Sequence, residues 1–272
     1  MTITYTIQEN YSTLTKSEKK IADYILTSGE KIVHSTMSDI REATNVGDGT
    51  IIRFCQKIGF SGFSDLKIAI AKEDFSKQQE ASQESDLFDK RTTTINNALR
   101  TTNQRLDNEK LQRAVQLITE ANQIYIFGVG SSGNTGNDLE AMLLRVGVQS
   151  RSVVDPHFQA QVASLLTEKD LVIGLSLSGR TKDTYDSLNI AKKNQAKIIA
   201  ITNYQLSPIA QLADVVLQTA IDEFLDGASL AGKISQLYLC DLLVQGYEIE
   251  NNVNSIELRE TVLRSILDKS LD

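Results

Sequence analysis

The sequence predicts an all-α domain at the N-terminus, followed by an α/β domain with a five-stranded parallel sheet flanked by helices. Two observations carry this. Over the first third of the chain, apolar residues recur at helical spacing between cap and turn residues. Beyond residue 120 the period changes, and short apolar runs alternate with helical stretches: IYIF at 124–127, LVIGL at 171–175, KIIAI at 197–201 and DVVLQ at 214–218. Near-continuous apolar strands separated by helices belong to a parallel sheet covered on both faces. A weaker strand over about 148–154 makes the fifth, and two helices, 232–250 and 255–268, close the chain.

In the N-terminal part, Thr15 and Glu18 have capping-box spacing, and Leu14, Ile21 and Ile25 follow as a helical stripe that ends at Ser28 and Gly29. A short helix spans 38–44, with Ser38 as its expected cap. After Asn45, Val46 and Gly47 comes a helix over 48–58, its inner stripe Ile51, Cys55 and Ile58, closed by Gly59. Phe63, Leu66 and Ile70 mark a fourth helix reaching about Phe75. The polar stretch 76–89 reads as a linker or frayed helix, and 92–120 as one long amphipathic helix. The expected division is 1–77, a linker at 78–91, and 92–272.

Composition sets the outer limits. The chain has 272 residues, 41% hydrophobic and 23% charged, enough for two globular domains. No apolar run reaches membrane-spanning length, and MTITYTIQENYS lacks the basic and apolar regions of a signal peptide, so a cytoplasmic protein without membrane contact is expected. Cys55 and Cys240 read as buried free thiols of a reducing compartment. The net charge of −7 argues against a nucleic-acid partner at first sight, but residues 1–77 carry ten Lys/Arg and ten Asp/Glu. A neutral domain binds DNA if its cations share a face, so charge permits that partner without supporting it.

Two short helices joined by a tight turn containing Gly47 make a helix-turn-helix pattern, whose second helix enters the major groove. Asp48, Gly49 and Thr50 are then placed for base edges, with Arg53 and Lys57 for bases or phosphates. An ordinary helical packing unit has the same spacing. The segment IIRFCQKIGFSGFSDLK decides between them. Through Arg53-Phe54-Cys55, Lys57, Gly59-Phe60, Gly62-Phe63 and Leu66-Lys67, with SEKKIADYIL upstream, it resembles the DNA-binding domain of the RpiR family of bacterial transcriptional regulators. The resemblance implies a double-stranded DNA operator as partner and Ser61, Ser64 and Lys67 as phosphate contacts. The family usually caps its recognition helix with a hydroxyl residue; here Gly47 stands instead, which leaves the operator sequence open.

In the second domain, IYIF runs into GVGSSGNTGNDLE, a Gly-rich turn that brings backbone N–H groups and a helix N-terminus to an anion. Its G-x-G-x-x-G spacing also fits a dinucleotide site, with Asp155 as a rather distant acidic partner. LVIGL runs into SLSGRT at 176–181, hydroxyls at the carboxyl end of a buried strand, where ligands of open parallel sheets bind. Together with ITN at 201–203, SPIAQLAD at 207–214 and SLAGKISQLYL, these loops resemble a sugar isomerase (SIS-type) domain over roughly 108–250. The resemblance implies a phosphorylated sugar held by Gly130, Ser131, Ser132, Gly133, Ser176, Ser178, Gly179 and Thr181. Glu223 and Asp226 follow the fifth strand, where either they meet the sugar hydroxyls or DEFLD is simply a solvated acidic loop. The role of Arg180 stays open.

An isomerase needs a proton-shuttling base. The two histidines, His34 and His157, suggest none, and no cofactor or metal is implied. The expected function is therefore a DNA-binding regulator of sugar metabolism controlled by a phosphorylated sugar, acting as a homodimer or higher homo-oligomer. A sugar-phosphate isomerase with an added helical domain is the alternative, and a non-DNA interaction module at the N-terminus is a third reading.

Overall fold

The computed structural model describes residues 2–81, 87–221 and 229–266. They divide into two compact units, one ending at residue 89 and the other beginning at residue 90.

The first unit is wholly helical: α1 Ile3–Asn10, α2 Lys16–Ser28, α3 Met37–Thr44, α4 Asp48–Lys57 and α5 Phe63–Ala81, with 3-10 turns at Tyr11–Thr13 and Gly29–His34. Helix α1 was not singled out from the sequence, where the first helix read begins after Thr15. Thr2 caps it, accepting from the Tyr5 N–H, and Ile7 is fully buried. The capping box of α2 is complete: Thr15 N–H donates to Glu18 Oε2 at 2.8 Å, and Glu18 N–H donates to Thr15 Oγ1 at 3.3 Å. The cap of α3 is Thr36, not Ser38. Thr36 and Asp39 form a second reciprocal box, which starts the helix one residue before Ser38. At the end of α4, Gly59 takes φ 95°, its N–H donates to Gln56 O, and Phe60 N–H donates to Cys55 O. That Schellman closure needs a residue without Cβ strain. Ile7, Ile21, Ile32, Ile40, Ile51, Phe54 and Leu66 form the interior, each essentially inaccessible.

The polar stretch 76–89 is helical on both sides of 82–86, in α5 and in α6 Leu87–Gln104. The single helix expected over 92–120 is instead broken. Asp107 caps α7 Asn108–Glu120 through the N–H groups of Glu109 and Lys110, so the chain turns at 105–107.

The second unit continues with β1 Ile124–Phe127, α8 Gly130–Leu144, β2 Arg151–Val153, α9 Pro156–Leu165, β3 Leu171–Leu175 and α10 Lys182–Lys193. It ends with β4 Lys197–Thr202, α11 Pro208–Leu212, β5 Val215–Gln218, α12 Ser229–Glu250 and α13 Ser255–Ile266. The five strands are all parallel, in the order β2-β1-β3-β4-β5. Alternate strand residues face opposite layers. Ile124, Ile126, Leu171, Ile173, Ile199, Ile201, Val215 and Leu217 pack with α7, α8 and α12. Phe127, Val172, Ile198 and Ala200 pack with α9, α10 and α11. Both cysteines lie in these interiors, where loss of solvation pushes each thiol up to about 12, so neither is a nucleophile near neutral pH.

Glu18 ties the start of α2 to the end of α4. Lys57 at the end of α4 places its Nζ 3.1 Å from Glu18 Oε2 and 2.7 Å from Thr13 O. The Thr15 backbone N–H, then Lys57, hold the buried carboxyl below its usual range. A depressed carboxylate stabilises the fold fully above its unfolded pKa, and the contribution is lost as pH falls through the folded value. Glu18→Gln, which keeps the cap but not the charge, is expected to destabilise the helical unit by about 1 kcal/mol at pH 7 in urea titrations. The gap to wild type should close below about pH 4; a gap that persists there would refute the charge-based account.

Candidate functional site

Helix α4 follows α3 through a turn in which Asn45 adopts the left-handed region, φ 53°. Ile51, Phe54, Cys55 and Ile58 are buried, so the opposite stripe of the helix faces solvent. Asp48, Gly49, Thr50 and Arg53 share the first two turns of that outer face; Arg53 Nη2 donates to Thr50 Oγ1 at 3.0 Å. Asp48 lies 3.9 Å from Arg41 Nη1, an exposed pair of little energetic weight that still offsets the negative charge at the helix tip. Lys57 is elsewhere, bound to Glu18 and Thr13 on α2's side. Lys67 Nζ donates to Ser35 O at 3.1 Å and sits 5.2 Å over the Phe63 ring. Ser61 N–H and Oγ both donate to Asp65 Oδ2, and Ser64 is exposed at the start of α5. The outer face also carries Ile52 and Gln56, which the sequence reading passed over, although they complete the i, i+3, i+4, i+7 stripe with Gly49 and Arg53.

In the α/β unit the strand order reverses between β1 and β3, which lie side by side while their following helices leave on opposite faces. Such a switch point opens a crevice beyond the strand carboxyl ends. Both predicted loops border it. After β1, the chain turns through Gly128 and Val129 into α8, with Gly130 at φ 57°. Ser131 is exposed, Ser132 half-buried and Gly133 buried. Ser132 Oγ accepts from Gln236 Nε2 of α12 at 3.3 Å. Below the loop, the buried Gln159 amide donates to Gly128 O at 3.0 Å and Val153 O at 2.7 Å.

After β3, Ser176 is buried and its Oγ lies 3.0 Å from Thr181 Oγ1. Ser178 is exposed and accepts from the Arg180 N–H at 3.2 Å. The loop is fixed from beneath: Leu177 O accepts from Asn203 N–H at 2.9 Å and Thr202 Oγ1 at 3.3 Å, and Gly179 O accepts from Ile209 N–H at 3.1 Å. Thr202, Asn203, Ser207 and Gln236 were not singled out beforehand. They lie within ITN, SPIAQLAD and SLAGKISQLYL, but only folding shows which residue of each segment meets the loops.

The electrostatic character follows from the caps. Asp107, Asp155 and Ser207 cap α7, α9 and α11 with side-chain oxygens. The two helices that start at the switch point have no side-chain cap: Val129 precedes α8, and Thr181 before α10 turns its hydroxyl to Ser176. First-turn N–H groups without a side-chain acceptor, at the positive end of a helix dipole, are a cradle for an anion. Asp155, the acidic partner considered in the dinucleotide reading, caps α9, accepting from Phe158 N–H at 3.0 Å. His157 is exposed on α9. Glu223 and Asp226 lie outside the described residues. Among the described residues no cluster of His, Cys, Asp or Glu is suited to a metal, and no helix is long and apolar enough to cross a membrane.

A solvent-facing second helix in a helix-turn-helix, in one chain with an α/β unit that presents an anion cradle, defines a transcription regulator with a ligand-binding unit. The chain belongs to the RpiR family of these regulators. Residues 1–78 match the helix-turn-helix domain of the rpiR family, and residues 117–245 match the SIS domain. An uncharacterised HTH-type transcriptional regulator of Haemophilus influenzae is 39% identical over 254 residues, 88% of each chain. The HTH-type transcriptional regulator RpiR of Escherichia coli K12 is 34% identical, covering 84% of this chain and 80% of that one. Among solved structures, the Vibrio vulnificus NanR protein complexed with ManNAc-6P superposes with a TM-score of 0.79 at 26% identity, covering 98% of this chain and 99% of that one.

Gly179 holds the second loop in place. Its φ is 63°, and a Cβ would meet Ser207 Oγ at 2.0 Å and Thr202 Oγ1 at 2.7 Å. Ser207 cannot retreat without giving up its cap on α11. Gly179→Ala is expected to cost about 2–4 kcal/mol from strain and overpacking, read as a lowered Tm of the α/β unit. Ser178→Ala, at an exposed position, should stay within about 0.5 kcal/mol of wild type. Equal Tm values for both variants would show that the loop is not packed in this way.

Proposed function

We propose that the α/β unit binds a phosphorylated sugar and that its occupancy sets operator binding by the helix-turn-helix unit. The observation that carries this reading is the pair of helices, α8 and α10, left without side-chain caps on either side of the switch point. A phosphate there accepts from first-turn N–H groups and from the hydroxyls of Ser176, Ser178 and Thr181, with Gly130, Ser131, Ser132, Gly133 and Gly179 shaping the approach. Glu223 is assigned to the sugar hydroxyls on its sequence position alone. The likeness to NanR complexed with ManNAc-6P supports the ligand class.

In the DNA-binding unit we assign Asp48, Gly49, Thr50 and Arg53 to bases and Ser61 and Ser64 to phosphates. Lys57 and Lys67 reach phosphate only by leaving their present partners. The proposed domains are 1–77 and 92–272 with a linker at 78–91. A homodimer in the cytoplasm suits a protein that reads symmetric half-sites.

The reading is of a sensor and not an isomerase. Among the described residues, three carboxylates of this unit have structural partners: Asp155 caps α9, Glu140 Oε2 accepts from Ser152 N–H at 2.7 Å, and Asp138 pairs with Lys233 at 3.2 Å. The signal has a material route. Helix α6 meets the α/β fold through Ala220 N–H donating to Thr102 Oγ1 at 3.0 Å, and through Tyr238 Oη donating to Asn103 Oδ1 at 2.8 Å. Asn203 bonds the next residue, Ile221, and also holds Leu177 of the loop, while α12 carries Gln236 to Ser132. A ligand that prefers one position of these elements shifts operator binding by its differential affinity and no more.

The test titrates sugar 6-phosphates, ManNAc-6P included, against full-length protein bound to DNA from its own upstream region. Wild type should change its DNA affinity with one of them, and Ser178→Ala should need at least about tenfold more. Identical responses of both proteins would place the effector elsewhere. Conversion of any of these sugars to its isomer would establish the enzyme.

A further inference from the structure

The outer stripe of α4 contains one residue whose chemistry does not suit a solvated surface. Gly49, Ile52, Arg53 and Gln56 follow one another at i, i+3, i+4 and i+7, opposite the buried Ile51, Phe54, Cys55 and Ile58. Ile52 is 39% exposed, while the inner stripe of the same helix is already filled. A β-branched apolar residue on the outer face does nothing for the helix, where straight-chain polar residues have equal or better propensity. Its neighbours are those of a groove-facing surface. Gly49, one turn earlier, has only Arg53 Nη1 within 4 Å of where a Cβ would lie, at 3.9 Å, so the helix backbone can approach closely there. Arg53, alongside, is a donor to guanine or phosphate, and Gln56, one turn on, has the paired donor and acceptor that match adenine.

We propose that Ile52 is a specificity-determining residue of the recognition helix, packing against the C5 methyl of a thymine in each half-site. This rests on the reading of α4 as the groove-entering helix and names what that helix recognises. Apolar contact with the thymine methyl is the one major-groove signal that a hydrogen-bonding side chain cannot read. Burying one methyl is worth about fourfold in affinity per half-site.

The experiment uses the full-length protein. Wild type first selects its preferred duplex from a randomised pool, and each thymine in that duplex is then replaced singly by deoxyuridine, which removes only the methyl. For wild type, one thymine per half-site should lose about fourfold in affinity on replacement. For Ile52→Ala the same replacement should have no effect, while the variant still unfolds in a cooperative thermal transition and still binds the selected duplex. Gln56→Ala is the control: it should weaken binding yet keep the deoxyuridine effect, and losing that effect too would count against Ile52. If wild type shows no methyl-sensitive thymine, or if Ile52→Ala remains sensitive at every one, Ile52 reads no methyl. A shift in oligomeric state for Ile52→Ala would make this face a protein contact and would also overturn the proposal. If wild type selects no preferred duplex at all, the reading of α4 itself fails and this inference goes with it; in the other negative outcomes the selected DNA is still bound.

Discussion

The reversal of strand order between β1 and β3 is the constraint on which the α/β unit depends. A parallel sheet must cross over after every strand, and each crossover helix must cover one face or the other. Because β1 and β3 are neighbours whose helices go to opposite layers, the segments leaving them diverge, and the space between belongs to neither layer. Whatever fills it meets two helix N-termini at once. The rest of the site is a local adjustment to that fact: hydroxyls replace caps, and Gly residues let the turns come close.

The hydroxyl pair Ser176 and Thr181 shows how such an adjustment is made. Thr181 has the position and the residue type of an N-cap, and capping is what its hydroxyl would do by default. Its bond to Ser176 withdraws it and leaves the α10 amides without a side-chain acceptor. The helix terminus is thereby left less stable, with its first-turn N–H groups open to an acceptor from outside the helix. The rigid floor under the loop, from Thr202, Asn203, Ser207 and Ile209, keeps the exposed groups in position before any ligand arrives.

The helical unit handles the same tension differently. Its outer α4 face carries Gly49, Ile52, Arg53 and Gln56, while two cations, Lys57 and Lys67, are bound to the protein itself, on Glu18 and Ser35.

Much of this was legible in the sequence because it is local. The Thr15–Glu18 capping box, the Gly59 closure, the apolar strands and the two Ser- and Gly-rich turns are written within a few residues, and each follows from backbone geometry and period alone. The α3 cap was misplaced by two residues, at Ser38 in place of Thr36, since both are competent and only the reciprocal bond to Asp39 distinguishes them. The break at Asp107 was missed because the apolar period runs through it. What tertiary structure alone decided is which residues meet across the chain: Gln236 with Ser132, Asn203 with Leu177, Lys57 with Glu18. Those pairings depend on strand order and helix packing, which are set by the sum of many burial contacts and not by any single spacing. The sequence therefore determined the elements and the chemistry of the two loops, and the packing of distant segments decided which hydroxyls, amides and charges remain available to a ligand or to DNA.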